Sequence, residues 1–233
     1  MKYPGRIGRF MLFSSLAAVA AMPVAAAADR QLTVVELFTS QGCSSCPPAN
    51  ANLIKISNRK NVLALSFSVT YWDYLGWKDT YGKPEFTERQ VAYEPALRQP
   101  GPYTPQMVFN GTATAVGNSL PEVESLLAQT PSLRGPALAF SNDHIEVGAS
   151  STTGNADVWL VRYDPRIEDV PVARGENSGA TLQHTHVVRR LARLGTWDGS
   201  KTSFSVPQAD KDLKTAVLIQ RANGGAILSA ITD

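Results

Sequence analysis

The apolar positions of the chain fall into short runs that predict alternating strands and helices. Leu32 to Phe38 is a Val-rich run with one acid inside it, Glu36, and reads as a buried strand. Val62 to Val69, Val-Leu-Ala-Leu-Ser-Phe-Ser-Val, is apolar enough to lie in the middle of a sheet. Between them, from Cys46 to about Asn58, Leu53, Ile54, Ile56 and the alanines suit a helix. Pro47 and Pro48 fit that helix only in its first turn, where N–H groups lack intrahelical partners anyway. Strand, helix, strand predicts a βαβ unit with parallel pairing.

An aromatic segment, Tyr71 to Trp77, comes next, then a polar stretch from Thr87 to Leu97 that reads as helical. Met107 to Phe109 reads as a third strand, and Asn110-Gly111 signals a hairpin into Thr112 to Val116. Ser119 with Glu122 three residues on makes a capping box at the start of a last helix. Beyond Pro131 the pattern changes to β-like runs: Val158 to Tyr163, Val187 to Leu191, Lys201 to Val206 and Thr215 to Gln220. Asn223-Gly224-Gly225 then reads as a hairpin before Ala226 to Ile231. The expected division is a leader at 1–28, an α/β domain at 29–133 with an insertion at 71–100, and an antiparallel β lobe at 134–233.

The leader changes how charge is read. Lys2, Arg6 and Arg9 precede the apolar run Phe10 to Ala21, and the small residues Ala25 to Ala28 follow, as in a secretory signal peptide. Pro23 breaks the run before it reaches the roughly 18 residues of a membrane span. Removing 28 of the 233 residues takes away three of the 22 basic residues and none of the 20 acidic ones, which leaves a formal charge of −1. Arg189, Arg190 and Arg193 are the densest basic cluster, too small a patch for a nucleic-acid binder, so that class is excluded. The expected location is periplasmic or secreted, with no stable membrane insertion after cleavage. An oxidising compartment also permits disulfides.

The chain has two cysteines, Cys43 and Cys46, separated by Ser44 and Ser45. Disulfide exchange needs a thiolate, and a helix N-terminus stabilises one on the first cysteine. Cys43 is therefore the expected nucleophile, exposed at the helix start, and Cys46 the resolving thiol that closes the disulfide. A static disulfide clip is the plainer alternative, although so short a loop gives little entropic stabilisation.

The segment Glu36-Leu37-Phe38-Thr39-Ser40-Gln41-Gly42-Cys43-Ser44-Ser45-Cys46-Pro47-Pro48-Ala49, with Tyr71 to Trp77 and Tyr103-Thr104-Pro105-Gln106-Met107, resembles a bacterial family of secreted thioredoxin-like proteins catalogued as a domain of unknown function. The resemblance implies a thioredoxin-like α/β fold carrying an aromatic insertion and a C-terminal antiparallel β lobe. It implies a cis bond at Thr104-Pro105, whose backbone would receive an extended peptide beside the sulfurs. It also implies a buried acid near Glu36 that acts as general base on Cys46. Trp72 and Asp73 would contribute to a substrate platform, unless the insertion is a satellite hydrophobic cluster. Gly42 and Ser44-Ser45 depart from the usual thioredoxin Trp and Gly-Pro, so substrate and potential do not carry over.

The function expected is an exported thiol–disulfide oxidoreductase or carrier acting on protein or small-molecule thiols, with no organic cofactor. A second class is a periplasmic protein that binds or delivers Cu(I) through the same cysteines. In a regular strand His184 and His186 would share a face and complete a Cys₂His₂ set, though surface or hydrogen-bonding histidines are the simpler assignment. A third is a redox-inactive binding module.

Overall fold

The computed structural model describes residues 1, 32–151, 154–208 and 210–233. Apart from Met1, the expected leader lies outside the described residues. The protein is mixed α/β. Strand β1 (Thr33–Thr39) leads through helix α1 (Pro47–Ser57) into β2 (Val62–Ser68), and the two strands pair in parallel, Thr33 with Val62 through Thr39 with Ser68. A short 3-10 helix (Asp73–Leu75) and helices α2 (Pro84–Ala92) and α3 (Glu94–Leu97) follow. The helix expected over 87–97 therefore starts earlier and is broken. Pro84 fits the first turn of α2, and Pro95 has no N–H to continue it, so the chain restarts as α3 after Tyr93. Strands β3 (Gln106–Phe109) and β4 (Ala113–Ala115) form the Asn110-Gly111 hairpin. Helix α4 (Leu120–Gln129) is capped by Ser119, whose side chain accepts from the Glu122 N–H.

The rest of the chain is β-structure: β5 (Leu138–Ser141), β6 (His144–Val147), β7 (Ala156–Pro171), β8 (Thr181–Trp197), β9 (Thr202–Ser205), β10 (Lys214–Arg221) and β11 (Ile227–Thr232). Its strands pair antiparallel, but they do not make a separate lobe. β8 adds in parallel to β2 through Ser66 and Val187, so one mixed sheet runs in the order β11-β10-β7-β8-β2-β1-β3-β4. Among the described residues, β5, β6 and β9 form a second, three-stranded sheet. Among the described residues no helix is long and apolar enough to cross a membrane.

The large sheet curls until its two ends meet. Asn110, in the β3–β4 turn, accepts from the Ile227 N–H of β11 at 2.9 Å through its main-chain oxygen. Its side chain accepts from the Val34 N–H at 2.7 Å and donates to the Pro131 carbonyl at 2.9 Å. Gly111 takes positive φ there, and a Cβ on it would lie 2.6 Å from the Gly225 carbonyl oxygen, so the two Asn-Gly turns interlock.

Alternation along each strand then sorts side chains into separate cores. Val34, Phe38, Phe67, Tyr163, Leu218 and Ile227 line the inside of the curl with Phe86 and Tyr93. Val35 and Leu37 face the other way, onto Leu53 and Ile56 of α1 and Val123 of α4. A third core lies around Trp197 and Ile145, between β7, β8, β10 and the small sheet.

The β7–β8 hairpin is the longest element. Its register shifts between Asp164 and Ile167, opposite His186, which takes φ 50°. Past that point the distal arms, Ile167–Pro171 and Thr181–Thr185, continue beyond the sheet and run beside α1. A cleft of about 170 Å³ separates them, lined by Pro47, Asn50, Ala51 and Ile54 on one side and Thr181 to Gln183 on the other.

Candidate functional site

Cys43 and Cys46 are joined as a disulfide with Cα atoms 5.5 Å apart. The local sequence explains the placement. β1 ends at Thr39, and the turn Ser40-Gln41-Gly42 is closed by the Ser40 hydroxyl, which accepts from the Gly42 N–H, and by the Ser40 carbonyl, which accepts from the Cys43 N–H. Cys46 is the N-cap of α1, and its carbonyl accepts from the N–H groups of both Ala49 and Asn50. Pro47 and Pro48 have no N–H. The first turn of α1 therefore offers no free donor, and an anion at this end must look to the main chain of the Cys43–Cys46 turn instead.

One such donor is already taken. The Ser44 N–H donates to the Glu176 carboxylate at 2.9 Å, across 132 residues of sequence. That bond holds the exposed Glu176 carboxyl below the usual carboxylate range. Beside it the Asn177 side-chain amide donates to the carbonyls of both Gln41 and Cys43, each at 2.9 Å. Glu176 and Asn177 lie in the 172–180 tip that joins β7 to β8. Gly175 brings this tip close: a Cβ there would sit 3.6 Å from Trp77 Cβ and 3.8 Å from Gly42 Cα.

The insertion closes the other side. Gln41 donates to the Thr80 hydroxyl and accepts from the indole N–H of Trp77 at 2.9 Å, while its own N–H goes to Asp79 at 2.7 Å. Asp79 is 3% exposed, and burial pushes its carboxyl up although Gln41 and Tyr81 N–H groups donate to it. Together the insertion and the tip leave Cys43 1% and Cys46 0% exposed. The expectation of an exposed pair is therefore corrected. The insertion, marked in the sequence by its aromatic residues, and the polar 172–180 tip, which no apolar pattern marks, pack against the cysteine turn from two sides.

Trp72 and Thr104 are brought together, the indole N–H donating to the Thr104 hydroxyl at 2.7 Å. A Cβ on Gly42 would meet Trp72 Cβ at 3.0 Å, so a larger residue there would press Trp72 away from the cysteine turn by a few tenths of an ångström. The Thr104–Pro105 bond is cis, and Pro105 is buried at the start of β3. Asp73 turns inward, accepting from the Asp79 N–H at 3.1 Å, which makes it a brace of the insertion.

Glu36 is not brought to the sulfurs. It stands on the face of β1 opposite α1, inside the curl, accepting from Arg89 Nε at 2.6 Å and from the Tyr93 hydroxyl. Gln220 donates to the same Tyr93 oxygen at 3.0 Å. Burial works to lower the Arg89 guanidinium, but the facing Glu36 carboxyl raises it further. The general-base role expected for Glu36 on Cys46 is thus corrected: strand alternation sends its side chain to the wrong side of the sheet.

Nor do the histidines assemble with the cysteines. The left-handed backbone at His186 breaks the alternation. His184 packs edge-on against Tyr81 while His186 stacks on Tyr163. Among the described residues no group of three or more His, Cys, Asp or Glu side chains is placed to hold a metal ion.

The fold and the site together define a mixed α/β protein whose two cysteines close a C-x-x-C disulfide at the head of a helix, covered by loops from both halves of the chain. The chain belongs to the DUF1223 family, described as proteins of unknown function, whose model matches residues 34–220. It is similar to a crystal structure of a protein from Agrobacterium tumefaciens at 35% identity and a TM-score of 0.69, covering 89% of this chain and 95% of that one. It is also similar in fold to HBP35 of Porphyromonas gingivalis, at 14% identity and a TM-score of 0.53, covering 88% of this chain and 75% of that one. A search of curated proteins gave no match.

Proposed function

We propose that the protein is an exported thiol–disulfide oxidoreductase or disulfide carrier on a thioredoxin-like scaffold. The observation that carries this reading is the Cys43–Cys46 disulfide at the N-cap of α1, in a βαβ unit flanked by a strand that begins at a cis X-Pro bond. The exported location is part of the proposal and rests on the leader composition.

The chemistry balances without a cofactor. One external thiolate attacks Cys43 Sγ, breaks the Cys43–Cys46 bond and expels the Cys46 thiolate, which takes a proton. A second external thiolate attacks the partner sulfur of the mixed disulfide and releases Cys43 as a thiolate, and the two external thiols leave as a disulfide. Two electrons have passed into the cysteine pair. Run backwards, the same steps oxidise a dithiol substrate. Trp72 and Thr104, already bonded to each other beside Gly42, would border the attacking group.

Trapping tests the reading. In a Cys46→Ala variant, Cys43 has no resolving partner and is expected to hold mixed disulfides that a reductant releases. The reading is overturned if Cys43 in that variant alkylates no faster than a free thiol and captures nothing from a periplasmic extract.

A further inference from the structure

The tip that covers the disulfide is fastened to the cysteine turn by polar bonds, and their chemistry matters once the sulfurs are reduced. Asn177 holds the two carbonyls that bracket Gly42, and Glu176 holds the Ser44 N–H, next in sequence to the nucleophile. With Pro47 and Pro48 in the first turn of α1, the Ser44 N–H is a main-chain donor that a Cys43 thiolate would otherwise draw on. The disulfide is uncharged, so the Glu176 carboxylate sits beside it at no electrostatic cost. A thiolate on Cys43 would share the same small positive region with a second anion. The other charged groups around the turn do not relieve this: Asp73 and Asp79 come from the insertion, and Arg174 stands exposed on the outer part of the tip.

We propose that the 172–180 tip is a redox-linked latch, seated over the Cys43–Cys46 disulfide through Glu176 and Asn177 and released when reduction places a thiolate on Cys43. The inference rests on the proposed reversible use of the cysteine pair. Linkage makes the coupling reciprocal. If reduction opens the latch, the closed latch must favour the disulfide, and a thiol reaches Cys43 only by displacing the tip. A partner that opens it must replace what the tip supplies: amide donors to the carbonyls of Gln41 and Cys43, and an acceptor, best an anionic one, to Ser44. An extended peptide with an acidic side chain meets that description.

Arg174 provides the readout, because it places a trypsin site within the latch. Limited trypsinolysis of the oxidised and reduced protein, followed by mass spectrometry, is expected to show cleavage after Arg174 accelerated at least about fivefold on reduction, with cleavage elsewhere unchanged. This needs only an added dithiol reductant to open the Cys43–Cys46 disulfide, so it stands whether or not Cys46→Ala traps a partner. Two variants locate the cause. Glu176→Gln keeps an acceptor for the Ser44 N–H and removes only the charge. It is expected to lower the pH midpoint of Cys43 alkylation and to move the glutathione equilibrium about threefold toward the dithiol, roughly 14 mV for a two-electron couple. Asn177→Ala is expected to raise cleavage of the oxidised protein toward the reduced level. Equal cleavage after Arg174 in both redox states, or an unchanged glutathione equilibrium in Glu176→Gln, overturns the latch.

Discussion

His184 is 1% exposed, and neither ring nitrogen has a hydrogen-bond partner. Burial, with a smaller contribution from the Arg189 charge, pushes its imidazole down from 6.5 to about 4. A base whose folded value lies below its unfolded value binds its proton more readily in the unfolded chain. Stability is therefore complete above about pH 6.5 and is lost as pH falls toward 4. Between pH 7 and pH 5 the loss from this residue is about 2 kcal/mol. Urea unfolding at the two pH values should show the wild type losing about that much more than a His184→Leu variant; identical losses would refute the assignment. Glu36 shows the opposite arrangement for a buried charge. Arg89 and Tyr93 satisfy its carboxylate, so it acts as a structural pin of the inner core.

The hairpins are where sequence pattern and tertiary packing meet most sharply. Asn223-Gly224 is legible as a turn from its residues alone, but its second role is not. Gly224 takes positive φ, and a Cβ on it would fall inside the Ala92 carbonyl at the end of α2. Gly76 also has positive φ, with nothing within 4 Å. Gly76→Ala should therefore cost only the left-handed backbone, about 1 kcal/mol. Gly224→Ala must displace backbone as well and should cost at least about 3 kcal/mol. Chemical denaturation of the two variants side by side checks this, and equal costs would mean the turn yields freely. β1, α1, β2 and the capped α4 were readable because apolar periodicity and cap residues mark them locally. The distal half of β7 was not, because Arg166, Ile167 and Asp169 are exposed there and the bulge at Asp164 breaks the alternation. The site was half legible for the same reason. Cys43 and Cys46 announce themselves by spacing, whereas nothing local ties Glu176 or Asn177 to a turn more than 130 residues earlier.

At the scale of the whole molecule, the boundary expected near residue 133 falls inside a single sheet. The inner core draws Phe38, Phe67 and Phe86 from one side of that boundary and Tyr163, Leu218 and Ile227 from the other. A fragment ending at residue 133 would leave those aromatic rings open to water, so it should show no cooperative unfolding. The full chain should unfold in one transition that coincides by fluorescence and circular dichroism; a cooperatively folded 32–133 fragment would contradict this. The closure at Asn110 has a further consequence for the protein in a crowded compartment. Exposed sheet edges invite pairing with other chains. Here β4 has only three residues, while the outer side of β11 is tied to the Asn110 turn and overlain by the 131–136 segment, where the Ser229 hydroxyl donates to the Pro136 carbonyl. A sheet buckled end to end offers little template for strand recruitment, so the folded protein should resist aggregation until that buckle opens.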